Sequence, residues 1–283
     1  MDNPLNAAAL RQRTAPKSNL LPLVFDGVSY EIGRTRLIKD ISASFEAGSL
    51  TVILGPNGAG KSLFLRLGHG LIQPSAGRIS WQGPGGDADG DGAGNAGGNP
   101  QRDQAMVFQR PTMLRRSVAA NLHHVLKQRR YPRARRRDIV EDMLQRTGLT
   151  RLAKSPARTL SVGEQQRLAV ARAWSVQPEV LFMDEPAAAL DPAATHTLED
   201  IMAAIRAAGT KIIMSTHDLG QARRLADDVV FLYRGRMLER APADRFFEKP
   251  ENDLAEAFLN GELLWWNRKE LKPPEHFKLR RQK

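Results

Sequence analysis

The chain has no cysteine in its 283 residues, which excludes disulfides and thiolate metal sites and fits a reducing compartment. It also lacks any apolar run near the roughly 20 residues needed to cross a bilayer. The first twenty residues, MDNPLNAAALRQRTAPKSNL, have no apolar core of the kind a secretory signal carries, so a cytoplasmic protein is expected. No internal repeat is visible. The tract GPGGDADGDGAGNAGGNP, residues 83–100, repeats Asp and Gly without the twelve-residue spacing that closes on Glu, so it does not read as a calcium loop. It holds no core-forming residue either, and reads as a flexible surface loop whose ordering entropy nothing offsets.

Hydrophobic residues make up 41% of the chain and charged residues 26%, enough for a real core in an ordinary soluble protein. The length fits one large domain or two modest ones. The net charge of +11 is unevenly placed: residues 1–20 carry +2, residues 127–137 (KQRRYPRARRR) carry +7 and residues 268–283 carry +5, leaving the body slightly acidic. Peripheral basicity of this kind reads first as a solvated helical face. Contact with anionic headgroups or a partner subunit comes next, and nucleic acid last. The ending WWNRKELKPPEHFKLRRQK sets two tryptophans beside seven basic residues. These indoles either pack on the protein's own surface or sit in a membrane interface.

Along the chain, LVFDGVSYEI and RLIKDISASF alternate like strands of a half-buried sheet. SLTVILG reads as a buried strand running into a Gly-rich loop. Leu63, Leu67 and Leu71 then recur at helical spacing, and GRISWQ returns to a strand. QAMVF is the next strand, followed by a mostly helical stretch from Ser117 to about Val176. After that, VLFMDE, a helix from about Pro192, TKIIMST, DLGQARRLA and DVVFLYR alternate strand with helix. Such alternation implies a parallel sheet covered on both faces. The expected fold class is therefore α/β, with a parallel-sheet core, an N-terminal antiparallel β subdomain and an inserted helical subdomain at about 112–176.

The loop GPNGAGKS, residues 55–62, sits between predicted strand and helix and satisfies the phosphate-loop pattern, which makes the core a P-loop NTPase. Gly55, Pro56, Asn57, Gly58, Ala59, Gly60 and Leu63 are expected to shape or supply a backbone cradle for ATP phosphates. Lys61 reaches the β and γ phosphates, and the Ser62 hydroxyl ligates Mg²⁺. VLFMDE ends its strand in Asp184 and Glu185, where ligands bind in open α/β sheets. Asp184 is the second expected Mg²⁺ ligand, and Glu185 the base that orients or deprotonates the attacking water. His217 ends the next strand at the same sheet edge and can face the γ-phosphate. A second anion site is predicted at LSVGEQQRLAVARA, where Ser161 and Glu164 form a capping-box start to an alanine-rich helix.

Together these motifs resemble the ATP-binding subunits of ABC transporters, over about Val24 to Leu264. Gln109 in VFQRP is similar to that family's Q-loop, LSVGE to its signature, residues 188–191 to its D-loop and His217 to its switch histidine. The resemblance implies an ATPase whose Gln109 touches Mg²⁺ and water and couples to the membrane subunit. It also implies a homodimer in which Ser161, Gly163, Glu164 and Asp191 of one copy help enclose ATP held by the other. Integral membrane permease subunits would be direct partners and a periplasmic or extracellular substrate-binding protein an indirect one. The subunit would lie peripherally on the cytoplasmic face of the inner membrane. No nucleic-acid partner is expected.

The chain departs from the family pattern at three places. Val162 stands where a Gly is usual, Ala188 replaces a serine of the D-loop, and Ile32 occupies the place of the adenine-stacking aromatic, with Tyr30 nearby as a substitute. By likeness of VFQRPTMLRRSVAANL, THDLGQARRLAD and the ending RFFEKP…AFLNGELL, the cargo is expected to be a tungstate-type oxyanion. Phosphate or polar amino-acid importers are the alternatives. A nucleic-acid-associated ATPase and a non-catalytic regulator are the rival classes; the first usually carries zinc-binding cysteines, long coiled coils or two cassettes, all missing here. Outside the domain at 21–264, residues 1–20 are expected to form a flexible extension and residues 265–283 a basic tail.

Overall fold

The computed structural model describes residues 18–84 and 100–262. Strands β1 (Leu23–Ile32), β2 (Thr35–Phe45) and β4 (Ala76–Trp81) make an antiparallel sheet in the order β2-β1-β4. Its inner face is aromatic. Phe25 of β1 stacks on Phe64 at 4.6 Å, and Phe45 meets both rings edge-on at 5.8 Å. Phe64 belongs to α1 (Lys61–His69), so this cluster clamps the first helix onto the sheet.

The second sheet has six strands. Their order is β5 (Gln104–Val107), β6 (Val180–Asp184), β7 (Lys211–Ser215), β3 (Leu50–Leu54), β8 (Asp228–Tyr233) and β9 (Arg236–Pro242). All pairings are parallel except β8 with β9. Strands β3, β6 and β7 are buried along their whole length, as strands covered on both faces must be. Helix α1 lies between the two sheets: a Cβ added to Gly68 would sit 3.1 Å from the rings of both Phe25 and Phe182.

The short α2 (Pro100–Asp103) leads into β5, and the helical insertion comprises α3 (Val118–Gln128), α4 (Arg133–Arg146) and α5 (Val162–Trp174). Ser117 caps α3 by accepting from the Ala120 amide, and Val118, Leu122 and Leu126 form its buried stripe. Val140, Met143 and Leu144 bury one side of α4 while Arg133, Arg135 and Arg137 stay exposed. Helices α6 (Pro192–Ala207) and α7 (Leu219–Leu225) follow β6 and β7, and α8 (Ala243–Glu248) and α9 (Asp253–Leu259) close the described chain.

Three expectations change at the edges. The N-terminal extension was expected to run through Leu20, but Ser18, Asn19 and Leu20 all donate to the Glu179 carboxylate, and the Leu20 side chain is fully buried. The loop expected to end at 100 already gives way to α2 at Pro100; residues 85–99 lie outside the described part, as do residues 1–17 and the tail at 265–283. Strand β9 was not anticipated. It returns through the two-residue turn Arg234–Gly235, where φ is 49° and 79°, the mirror-image turn that suits a tight hairpin.

Candidate active site

The loop after β3 is held from behind by that hairpin. The Gly235 amide donates to the Ala59 carbonyl at 2.9 Å, and the Ala59 amide donates to the Pro56 carbonyl at 3.1 Å. Ala59 is itself buried, so its part is to shape the loop rather than to present a side chain. Gly55 has φ 147°, and a Cβ there would lie 2.1 Å from the Leu232 carbonyl oxygen; no other residue fits. Asn57 and Gly58 are exposed at the loop's tip, and Leu63 packs partly against the aromatic core. Helix α1 begins at Gly60 with no side-chain cap and no acid in its first turn. The first-turn amides of Lys61, Ser62 and Leu63 therefore have no intrahelical acceptor, and the positive end of the helix is open to an anion.

Side chains from three strand ends converge on this loop. Lys61 Nζ donates to the Gly55 carbonyl at 2.8 Å and the Pro56 carbonyl at 3.3 Å, and lies 3.5 Å from Glu185 Oε1. Ser62 Oγ donates to Asp184 Oδ1 at 2.9 Å, and Ser215 Oγ donates to the same oxygen at 2.8 Å. The Glu185 amide donates to both the carbonyl and the Oγ of Ser215 at 3.1 Å. Glu185 has φ 43°, a left-handed conformation costing about 1–3 kcal/mol in a residue with a Cβ. Its other carboxylate oxygen is 3.0 Å from His217 Nδ1. Ser215 joins this cluster and is not among the residues that the sequence singles out. A lone serine inside IIMSTH carries no signal until the strands are aligned.

The donor set suits Mg²⁺. Ser62 and Asp184 offer a hydroxyl and a carboxylate, hard oxygens of the kind that ion takes alongside substrate phosphates. Among the described residues no group of three or more His, Cys, Asp or Glu could hold a metal by itself, which leaves room for ligands supplied by a nucleotide. Gln109 is exposed and has no hydrogen-bond partner among the described residues. Of the two residues named for adenine, Ile32 is 59% exposed, whereas Tyr30 packs partly against the smaller core.

The signature residues form a separate cleft. The capping box at the start of α5 is complete: the Glu164 carboxylate accepts from the Ser161 amide and Oγ, both at 2.8 Å, and the Glu164 amide donates back to that Oγ at 3.4 Å. These bonds from Ser161 hold the Glu164 carboxyl below the usual carboxylate range. The cleft measures about 380 Å³ and brings Ser161, Gly163 and Glu164 together with Leu190, Asp191 and Ala194. Asp191 caps α6 by accepting from the Ala194 amide at 2.8 Å. Gly163 has a packing reason of its own, since a Cβ there would approach Ala194 Cβ to 3.1 Å. Val162 is 58% exposed. None of residues 55–62 lines this cleft.

Residues 38–188 match the protein family described as ABC transporter. Among curated proteins, the chain is 34% identical over 252 residues to the phosphate import ATP-binding protein PstB 2 of Natronomonas pharaonis, covering 86% of this chain and 88% of that one. It is 37% identical over 207 residues to the tungstate uptake system ATP-binding protein TupC of Peptoclostridium acidaminophilum, covering 73% and 90%. Among solved structures, cbiO1 of Clostridium perfringens, part of the ABC transporter complex cbiONQ, superposes with a TM-score of 0.71 at 27% identity, over 85% of this chain and 95% of the other. The phosphate loop, the acidic strand end and the histidine beside it agree with these likenesses: the chain belongs to the ABC transporter family, as an ATP-binding subunit that hydrolyses ATP.

Proposed function

We propose that this ATPase powers an importer of a tetrahedral oxyanion, phosphate or tungstate, working as a homodimer on membrane permease subunits. The relatives named for phosphate and tungstate differ in cargo but share its chemistry, a compact oxygen-shelled anion, and a third is named a probable anion import ATP-binding protein. The expectation of tungstate specifically is one member of that class. The cargo is delivered by an extracellular or periplasmic binding protein and does not touch this chain. No described helix is long and apolar enough to cross a membrane, which fits a peripheral place on the cytoplasmic face.

The observation that carries the catalytic reading is the convergence of Lys61, Ser62, Asp184, Glu185 and His217 within a few hydrogen-bond lengths. The open start of α1 and Lys61 bind the phosphates, Lys61 exchanging its bonds to Gly55 and Pro56 for phosphate oxygens. Ser62 and Asp184 would hold Mg²⁺, with Gln109 reaching the same site. The ion's contribution is to offset charge on the phosphates. Glu185, oriented by His217 and by its amide bonds to Ser215, accepts a proton from the attacking water. Ile32 offers adenine an apolar surface. In the homodimer, Ser161 and the amides at the start of α5 face the phosphates bound by the other copy, and Ser161 Oγ must then turn from Glu164 to the nucleotide.

The test is uptake. Cells carrying Glu185→Gln in place of the natural chain should lose import of either phosphate or tungstate, measured with labelled phosphate and by elemental analysis, while glutamine uptake persists. Retention of both oxyanions with loss of glutamine would overturn the cargo assignment.

A further inference from the structure

Helices α6 and α7 are capped by Asp191 and Asp218, the latter directly after His217. They are joined by one buried carboxylate. Arg224 of α7 donates to Glu199 of α6 through both arms of its fork, Nη2 to Oε1 at 2.7 Å and Nε to Oε2 at 3.0 Å, and Gln221 Nε2 lies 3.5 Å from Oε1. Glu199 is 7% exposed and Arg224 49%. A two-point fork fixes rotation as well as distance, which a single ion pair does not. The same bonds raise the Arg224 pKa.

The core holds α7 through the fully buried Ala222 and through Arg223, which lies over the Phe247 ring at 4.6 Å, and the fork adds the tie that fixes its direction against α6. The helix is seven residues long, too short to be stable on intrinsic propensity. Its cap Asp218 accepts from the Gln221 amide at 3.0 Å, which starts the helix but does not aim it. His217 is itself half-exposed, so its ring takes its position from the backbone on either side. On one side that backbone is β7; on the other it is α7. Between the D-loop and this histidine lies a cavity of about 410 Å³, lined by Ala188, Leu190, His196, His217, Gln221 and Arg224 among others.

We propose that the Glu199–Arg224 fork is a positioning device that sets His217 against Glu185, so that turnover depends on it and nucleotide binding does not. The inference rests on the reading of His217 as part of the hydrolytic site. Glu185, the turn through Ala188 to Asp191, α6, the fork, α7 and His217 form a closed circuit of constraints. Opening it at the fork frees His217 from its 3.0 Å contact with Glu185 while leaving Lys61 and the phosphate loop untouched.

Glu199→Gln is the primary variant, because it removes a buried charge and leaves the half-exposed arginine free to hydrate. Steady-state hydrolysis should show kcat lower by about tenfold with KM for ATP within about twofold of the natural protein. Arg224→Lys keeps the charge but loses the fork, and should give an intermediate kcat; it also serves if Glu199→Gln fails to fold. The imidazole resonance of His217, assigned by its loss in His217→Ala, should shift or broaden in Glu199→Gln while those of His123 and His124 stay in place. A purely structural pair would lower the unfolding temperature and leave kcat and the His217 resonance unchanged, and that result overturns the inference. His217→Ala is assayed alongside. Slow turnover there with normal turnover in Glu199→Gln refutes the positioning role alone, whereas normal turnover in His217→Ala refutes the hydrolytic reading and this inference with it.

Discussion

Nδ1 of His217 lies 3.0 Å from one carboxylate oxygen of Glu185, and Lys61 Nζ lies 3.5 Å from the other. One carboxylate is thus gripped between the group expected to orient it during hydrolysis and the group expected to leave it for the phosphates. Glu185→Gln keeps the shape and removes the base. ATP binding should persist in that variant while turnover falls by roughly two orders of magnitude or more. Equilibrium binding of labelled ATP and a phosphate-release assay measure the two separately, and near-normal turnover would contradict the role given to Glu185.

Lys61→Ala should have the opposite signature. Its ammonium already bonds two loop carbonyls, at 2.8 and 3.3 Å, and is available to phosphate only through that loop. Affinity for ATP is expected to fall by roughly tenfold or more, loss of a charge-assisted contact being worth about 1.5–3 kcal/mol. Unchanged affinity in a binding titration would remove Lys61 from the phosphate site.

Ser215→Ala tests a residue the sequence did not reveal. Its Oγ bonds both Asp184 Oδ1 and the Glu185 amide, so its loss loosens the proposed Mg²⁺ ligand and the proposed base together. The expected result is a kcat lower by up to about thirtyfold, about 1 kcal/mol for each of the two hydrogen bonds lost, with a higher Mg²⁺ concentration needed for half-maximal activity. An unchanged Mg²⁺ dependence would mean that Asp184 is positioned by other contacts.

Ser215 and Glu199 show where sequence reading stopped. Residues 55–62 and the pair Asp184–Glu185 were legible because phosphate binding needs contiguous backbone, and a buried strand ends visibly where charges begin. The capping box at Ser161 was legible for the same local reason. Ser215 acts across a strand pairing, and Glu199 across two helices 25 residues apart; neither partner lies within any local window. The hairpin of β8 and β9 was missed because its turn uses Arg234 at φ 49°, where Asn or Asp before Gly would have announced it. Ala59 was assigned to the nucleotide by motif position, yet its amide and carbonyl are both engaged within the protein.

Acid should weaken the fold through His69, at the end of α1. Burial, reinforced by the nearby Arg129, lowers its pKa to about 4 from an ordinary 6.5. As pH falls the unfolded chain takes up the proton first, so stability is full above about pH 6.5 and is lost progressively toward pH 4. Between pH 7 and 5 this group alone should cost about 2 kcal/mol. Urea unfolding of the natural protein and of His69→Gln at both pH values checks it, and an equal pH dependence in the two proteins would exclude His69 as the cause.

The most direct measurement concerns the shared site, in which residues 55–62 of one copy meet residues 161–163 of another. With no native cysteine, an engineered pair reacts without background. Asn57 and Val162 are both exposed, and a disulfide requires their Cα atoms within about 7 Å. Asn57→Cys with Val162→Cys, in a Glu185→Gln background that keeps ATP unhydrolysed, should give a species of doubled mass on a non-reducing gel when oxidised with Mg-ATP. Much less should form without nucleotide, and each single-cysteine variant should give none. A disulfide confined to one chain, or no nucleotide-dependent dimer at all, would contradict the account.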